Sequence, residues 1–346
     1  MSGILSKLAG RQGSTWGTAV ALTTAHRLPF ESCSLKFHQD TIPDNTITGR
    51  ATRALPGVGG NKRVDGGVVI QSDYRQAGLL IACALAAAAS PSNPETGVYR
   101  HVLPFTDNDF GKFLTIGHDI AAKRVEVFAS LRTNRWLSEF RPGQPGKDSF
   151  DYLGRGMDDT TASSGWTFAN DPSGGGGQVA YLSQSTIRVN AQAGGALGGS
   201  DRIYPTRFAV EVRRNLTQDY AQSAESEEPL PSDFNEVDVM LDFFTISTAL
   251  KDLFREAYLN QTALKLDAVF TQATLLGATL FRTREYYLPS LRVVECPLDT
   301  PGPGVVPFSV RMTAHHASAV PTGFTAGFDE VLTVVLQNEL SAALLA

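Results

Sequence analysis

The stretch VDGGVVIQSDYRQAGLLIACALAAA, residues 64 to 88, decides how the fold of this chain is interpreted. Its first part, VDGGVVIQS, is a short apolar run bounded by glycine and polar residues, which predicts a strand. Its second part is rich in alanine and leucine and predicts a helix from Asp73 to Ala89, where Asp73 and Gln76 resemble an opening capping box. The apolar run from Ala77 to Ala89 is shorter than the roughly 20 residues of a bilayer span, so a buried helix is expected.

Short apolar or alternating segments dominate the rest of the chain and predict a mainly β (α+β) fold. The predicted strands are residues 32–37, 63–72, 124–132, 185–191, 207–214, 238–246, 263–270, 286–295, 306–314 and 330–338. One other segment, Thr248 to Asn260, predicts a helix because its apolar residues share one face. The C-terminal segment fits a strand followed by a short helix, or one amphipathic helix, and its β-branched residues 331–335 favour the strand first.

An internal repeat follows from the order of these elements. In each half, a strand that starts at a proline (Pro29 or Pro205) precedes a long polar loop, a strand, a helix and a pair of strands that ends in SLR. The alternative is a chance match between strand-rich segments, but the shared order favours duplication. The predicted organisation is an N-terminal arm (1–18), a first domain (19–154), a Gly/Ser-rich connector (155–178), a second domain (179–322) and a C-terminal strand with a short helix (323–346).

Composition narrows the class of protein. The 346 residues are 42% hydrophobic and 19% charged, which is typical of a folded protein, and the net charge of -5 opposes tight binding to a phosphate backbone. Cys33, Cys83 and Cys296 are far apart and form no CxxC or Cys/His cluster, so we expect reduced thiols. The N-terminus has no apolar run long enough for a signal peptide, which predicts synthesis and assembly in the cytoplasm.

No motif predicts catalysis, a metal or a cofactor. The glycine-rich PGVGGNKR (56–63) lacks the phosphate-loop spacing, and AQAGGALGGSDR (191–202) is followed by a strand, where a dinucleotide site needs a helix. His315 and His316 are adjacent on a predicted strand and point to opposite faces, which prevents them from sharing a metal. We therefore expect a protein that is not an enzyme.

Two long loops at equivalent places in the repeat carry opposite charge. One hypothesis is that they dock between stacked copies of the chain, setting register through many weak ion pairs. The alternative is that both are solvated loops whose charges aid solubility. The candidate interface residues are Arg50, Arg53, Lys62 and Arg63 in the basic loop, and Asp219, Glu225, Glu227, Glu228, Asp233 and Glu236 in the acidic loop.

The chain resembles the major tail protein, or tail tube protein, of long-tailed non-contractile bacteriophages (siphoviruses). The resemblance covers most of the length and rests on QGSTWGT (12–18), the strand-to-helix stretch (64–88), GVYRHVLPF (97–105), FLTIG (113–117) and the repeated SLR strand ends. It implies two tandem β-sandwich or barrel domains, each flanked by one helix. Since six such domains commonly form one ring, a duplicated chain would form a trimeric, pseudo-hexameric ring.

The resemblance also implies function and partners. Such rings would stack head to tail into a tube around a tape-measure protein, meet a tail terminator and distal or baseplate proteins, and later pass DNA to the host without binding it tightly. The expected location is the tail of the virion. The alternatives are the tube subunit of a contractile tail or secretion system, and a β-rich virion adhesin or carbohydrate-binding module.

Overall fold

The computed structural model describes residues 6–23, 26–44, 57–88, 90–121, 124–158, 179–220, 224–244, 247–297 and 308–345. Within them the chain is mainly β, as predicted, and all pairings between its strands are antiparallel. The strands of the first half are β1 (Lys7–Gln12), β2 (Arg27–Leu28), β3 (Ser32–Cys33), β4 (Lys36–Ile42), β5 (Val58–Gln71), β6 (Ser92–Glu95), β7 (Val98–Pro104), β8 (Leu114–Ile120), β9 (Arg124–Phe140) and β10 (Lys147–Asp158). Those of the second half are β11 (Ser185–Ala191), β12 (Arg202–Ile203), β13 (Arg207–Arg213), β14 (Leu216–Thr217), β15 (Leu230–Pro231), β16 (Glu236–Phe243), β17 (Leu264–Leu275), β18 (Phe281–Glu295), β19 (Phe308–Ala314) and β20 (Thr333–Asn338). The helices are α1 (Gly78–Leu85) and α2 (Thr248–Asn260).

The two halves pair their strands in the same order. In the first half β4 pairs with β5, β5 with β10, β10 with β9, β9 with β8, and β8 with β1. In the second half β13 pairs with β16, β16 with β19, β19 with β18, β18 with β17, and β17 with β11. Each helix lies between corresponding strands, α1 after β5 and α2 after β16.

The correspondence extends to single residues of the SLR segments. Leu131 lies opposite Leu114, and Leu291 lies opposite Leu264, with a register shift immediately afterwards in both pairs of strands. The sequence suggested that the SLR segments end their strands, but they do not. Strand β9 continues to Phe140 and β18 continues to Glu295. Ser130 has a positive φ of 58°, an irregular conformation inside a strand.

One sheet joins the two halves. The end of β9 pairs with β13, from Arg135 opposite Arg213 to Phe140 opposite Phe208. The C-terminal strand β20 lies between β18 and β7 and so ties the end of the chain to the first half. A single hydrophobic core includes residues from both halves, and the rings of Phe140 and Phe270 stack with their centroids 4.1 Å apart.

The helices show where local signals are sufficient. Helix α2 has the predicted bounds, and the Ser247 hydroxyl caps it by accepting a hydrogen bond from the Leu250 amide. The first helix is shorter than predicted. Asp73 accepts bonds from the amides of residues 75–77, which form a turn, so the helix begins only at Gly78. Ala86, with a φ of 53°, ends it in the left-handed conformation.

The ten predicted strands are present: the strand at 185–191 has the predicted bounds, and most of the others have changed bounds. The segment 32–37 is split between β3 and β4, and several strands extend further through their hairpins. At the C-terminus the strand is confirmed, whereas the described residues 339–345 form no helix. Strand β1 lies in the predicted arm and pairs with β8, and β10 runs past residue 154. The proposed domain boundaries stay predictions.

Candidate assembly interface

The joint between β9 and β13 is closed by ion pairs on one face. The Arg135 Nε lies 2.5 Å from a Glu211 carboxylate oxygen, and its Nη1 lies 3.3 Å from Asp151. Further along, the Arg207 Nε lies 2.5 Å from Glu139. Burial alone would raise the pKa of Glu139, but the nearby guanidinium groups lower it below its usual value. These pairs hold two neighbouring strands of the different halves in register.

A second set of polar groups is buried beneath this joint. Arg284 of β18 donates two hydrogen bonds of 2.7 Å to the Asp148 carboxylate of β10, and neither side chain is exposed. Trp136 and Ser72 donate to the same carboxylate at 3.1 and 2.7 Å. Burial by itself would raise the pKa of Asp148, but the guanidinium and these donors hold it below its usual range. The network locks strands of both halves together.

The acidic loop turns back onto its own chain. The Glu228 carboxylate accepts a 2.8 Å hydrogen bond from the Gly111 amide and lies 3.4 Å from the buried guanidinium of Arg132. The same guanidinium donates to the Pro229 carbonyl and lies 2.5 Å from Asp109. Because Arg132 is only 1% exposed, this segment of the second half covers a charge of the first.

The sequence predicts that Lys62 and Arg63 lie in a loop, but both lie in strand β5. The acidic loop contacts this strand within one chain. The Lys62 amide donates a 2.6 Å hydrogen bond to the Ala224 carbonyl, and Glu225 forms a 2.8 Å ion pair with Arg155. A hydrogen bond to Tyr220 raises the pKa of Arg63, and neighbouring carboxylates add to that rise. The two segments predicted to be complementary are therefore neighbours. They meet through a backbone contact and through Arg155, which is not one of the candidate interface residues.

The other candidate residues differ in exposure. Glu236 lies 3.3 Å from Arg213 and keeps 47% of its side chain exposed. Asp219, Glu227 and Asp233 are exposed, and beside Asp233 the ring of Phe234 is 87% exposed. Arg50 and Arg53 lie outside the described residues. The contacts therefore divide the acidic loop into an inward part around Glu228 and an outward part from residue 230 to 236.

Sequence reasoning missed the cations that receive the acidic loop and close the joint. Arg132, Arg135 and Arg284 lie inside long strands, where the local pattern does not separate a buried arginine from an exposed one. A signal is present in RVEVFASLRTNRWLSEF (124–140), where arginines interrupt an otherwise apolar or alternating strand. Charged groups at such positions are kept in folded proteins only when they are paired.

Other kinds of site find little support in the part of the chain that the structure describes. Those residues contain no group of three or more His, Cys, Asp or Glu side chains placed to hold a metal. None of the helices described has the length and apolar character to cross a bilayer. The three cysteines are unpaired with one another. The features that stand out in the described residues are instead the antiparallel strand pairing and the ion pairs between the two halves.

Comparison with known families gives the particular assignment. The family model described as "Phage tail tube protein" matches residues 3–315, which is most of the chain. The chain belongs to this family and is a structural component of the phage tail.

Similarity to individual proteins is weaker. No curated protein matches. A solved structure described as "Crystal structure of Hcp protein" is similar at 14% identity, covering 37% of this chain and 86% of that chain, with a TM-score of 0.23. At that score the likeness gives no information on ring geometry or partners.

Proposed function

We propose that three copies of this chain form one ring of the tail tube, with the two halves of each copy as its six repeating units. The matching order of strand pairs supports this proposal, because two units with the same pairing scheme can occupy equivalent places around an axis. The joint between β9 and β13 would then be one of six similar contacts. The duplication of an ancestral domain, of the β-sandwich or barrel type, belongs to the same proposal.

Such rings would stack head to tail into a tube of the siphovirus type. A contact between unlike surfaces that does not close on itself produces an open polymer, which is the form a tube requires. The tube would assemble in the host cytoplasm around a tape-measure protein and be completed by a terminator and distal or baseplate proteins. It would then conduct DNA, and the net charge of -5 suits passage without tight binding.

The contact between stacked rings is proposed to involve the exposed charges of the two loops. Glu225, Glu228 and Glu236 are engaged within the chain, so the exposed Asp233, Glu227 and Asp219 are better placed to meet basic residues of the next ring. Lys62, Arg63, Arg50 and Arg53 remain the proposed basic side. Each exposed pair contributes only about 0 to 1 kcal/mol, so many repeated pairs are needed.

Electron microscopy of the purified chain tests the function. The proposal predicts hollow filaments at high protein concentration. A protein that stays monomeric even beside its tail partners, or that forms discrete glycan-binding oligomers, would refute it.

The loop contact has a separate test in the variant with Glu227→Lys and Asp233→Lys. We expect single rings to form while stacking fails. The matched control is Asp252→Lys on α2, an aspartate whose side chain is 51% exposed. Normal filaments from the loop variant would contradict the inter-ring role.

A further inference from the structure

Equivalent residues in the two halves can be identified by following strand pairing from the SLR segments. Each half contains a row of four residues that lie directly opposite one another on adjacent strands. The rows are Arg132, Leu153, Asp65 and Lys36 in the first half, and Arg292, Thr313, Asp238 and Glu211 in the second. Strand β4 thus corresponds to β13, with Lys36 at the place of Glu211.

The strands β9 and β18 correspond beyond this row as well. Both have a register shift at the same step, between Thr133 and Arg135 in β9 and between Val293 and Glu295 in β18. Arg135 contacts Asp151 at 3.3 Å, and Glu295 contacts Arg311 at 3.7 Å. Glu295 therefore stands where Arg135 stands, with the charges of the pair reversed.

Two sheet edges have no strand beside them in the described part of the chain, although their counterparts do. The end of β9 from Arg135 to Phe140 carries β13, whereas the end of β18 from Arg292 to Glu295, the counterpart of Arg135, pairs only with β19. Strand β13 lies between β16 and β9, whereas β4 pairs only with β5. An unpaired edge offers backbone donors and acceptors to another chain. Each of these two edges thus corresponds to one half of the β9–β13 joint and lacks the other half.

The charges on these two edges are complementary. In the closed joint, Arg135 and Glu211 form a 2.5 Å ion pair across the strands. Their counterparts are Glu295, with 62% of its side chain exposed, and Lys36, which is also exposed. Both signs are reversed, so a joint between Glu295 and Lys36 would keep the attraction.

We infer that β4 of one copy adds to the end of β18 of the neighbouring copy and repeats, between chains, the β9–β13 joint. The inference rests on the proposed ring and specifies its contact. The register follows from the closed joint: His38 lies opposite Glu295, and Phe37 lies opposite Cys296. The two edges are different surfaces, so the contact is heterologous, and three of them close a ring. Backbone hydrogen bonds give the contact its affinity, and the Lys36–Glu295 pair fixes its register.

Disulfide trapping tests the register. The variant His38→Cys with Glu295→Cys, in a Cys33→Ser and Cys296→Ser background, should give covalent trimers on oxidation, because directly opposed residues fall within disulfide range. The matched control is Gln39→Cys with Glu295→Cys. Residue 39 is one position further along and its side chain points to the other face of the strand, so little crosslinking is expected.

Charge reversal tests the ion pair. Lys36→Glu or Glu295→Lys alone should weaken ring formation by about tenfold, measured by native mass spectrometry, and the double reversal should restore it. Failure of the double variant to recover would contradict the pairing. Three-chain rings without the predicted crosslink would overturn this contact and leave the proposed function standing. Absence of any ring or tube from the wild-type chain would overturn both.

Discussion

Removal of the Asp148 carboxylate should destabilise the whole chain. Asp148→Ala would leave the fully buried Arg284 without its counter-ion, and breaking such a pair costs about 3–5 kcal/mol. The donors of Trp136 and Ser72 would also lose their acceptor, at about 1–3 kcal/mol for each buried group left unsatisfied. These terms overlap, so we expect a loss of at least about 4 kcal/mol, a large part of the about 5–15 kcal/mol that holds a typical domain folded.

The assay is guanidinium unfolding at low protein concentration, followed by tryptophan fluorescence, since Trp136 belongs to the network. The matched control is Asp252→Ala, which removes an exposed carboxylate and should change stability by less than about 0.5 kcal/mol. The variant Asp148→Leu with Arg284→Met should regain the part of the loss that comes from the unpaired Arg284, because apolar side chains replace a buried ion pair at little cost, while Trp136 and Ser72 still lack their acceptor. A loss below about 1 kcal/mol for Asp148→Ala would refute the reasoning.

The network also has a predicted pH signature. The pKa of Asp148 is lowered in the folded chain relative to an unfolded value of about 3.9. The unfolded state therefore binds the proton first, and the stability is present above the unfolded pKa and lost as pH falls through the folded pKa. The difference in unfolding free energy between wild type and Asp148→Ala should be constant from about pH 5 to 8 and shrink below about pH 4. A difference that already shrinks near neutral pH would contradict this sign.

Other contacts give three more predictions. Arg132→Met should speed amide hydrogen exchange in residues 224–229, because the Arg132 guanidinium contacts Glu228 and Pro229 in that segment. Helix α2 should exchange as in the wild type. Unchanged protection of residues 224–229 would show that the ion pair does not hold this segment in place. Phe254→Ala on the buried face of α2 should lower the free energy of unfolding by about 3–5 kcal/mol. Leu259→Ala, at a site 64% exposed, should lower it by less than about 0.5 kcal/mol. Similar losses for the two variants would contradict the packing of this helix. Burial lowers the pKa of His101, so the unfolded state takes up the proton first and stability should fall as pH drops from about 7 to 5. His101→Asn should flatten this dependence of stability on pH. An unchanged dependence would rule out this histidine as its cause.

Much of the secondary structure can be predicted because its signals are local. Helix α2 has an N-cap serine and one apolar face, and its bounds match the prediction. The predicted first helix is too long because Asp73 caps a turn before the helix begins at Gly78. Strand β1 escapes prediction because KLAGRQ lacks β-branched residues, and only its pairing with β8 makes it a strand.

The candidate site is harder to predict because its contacts are distant in sequence. The acidic character of the loop from 216 to 236 is visible in the sequence, but Arg132 and Arg155, which receive two of its glutamates, lie far away along the chain. The burial of Arg132 depends on how the two halves pack, which the charge pattern of the loop does not show. The order of elements, by contrast, is visible in the sequence, because both halves show the same alternation of strand, helix and hairpin.

Cryo-electron microscopy of assembled tubes tests the central claim most directly. The account predicts hollow rings of three chains with six similar units around the axis, in which β4 of each chain continues the sheet of its neighbour beside Glu295. Rings of six chains, or rings of three in which both β4 and the end of β18 remain unpaired, would contradict it.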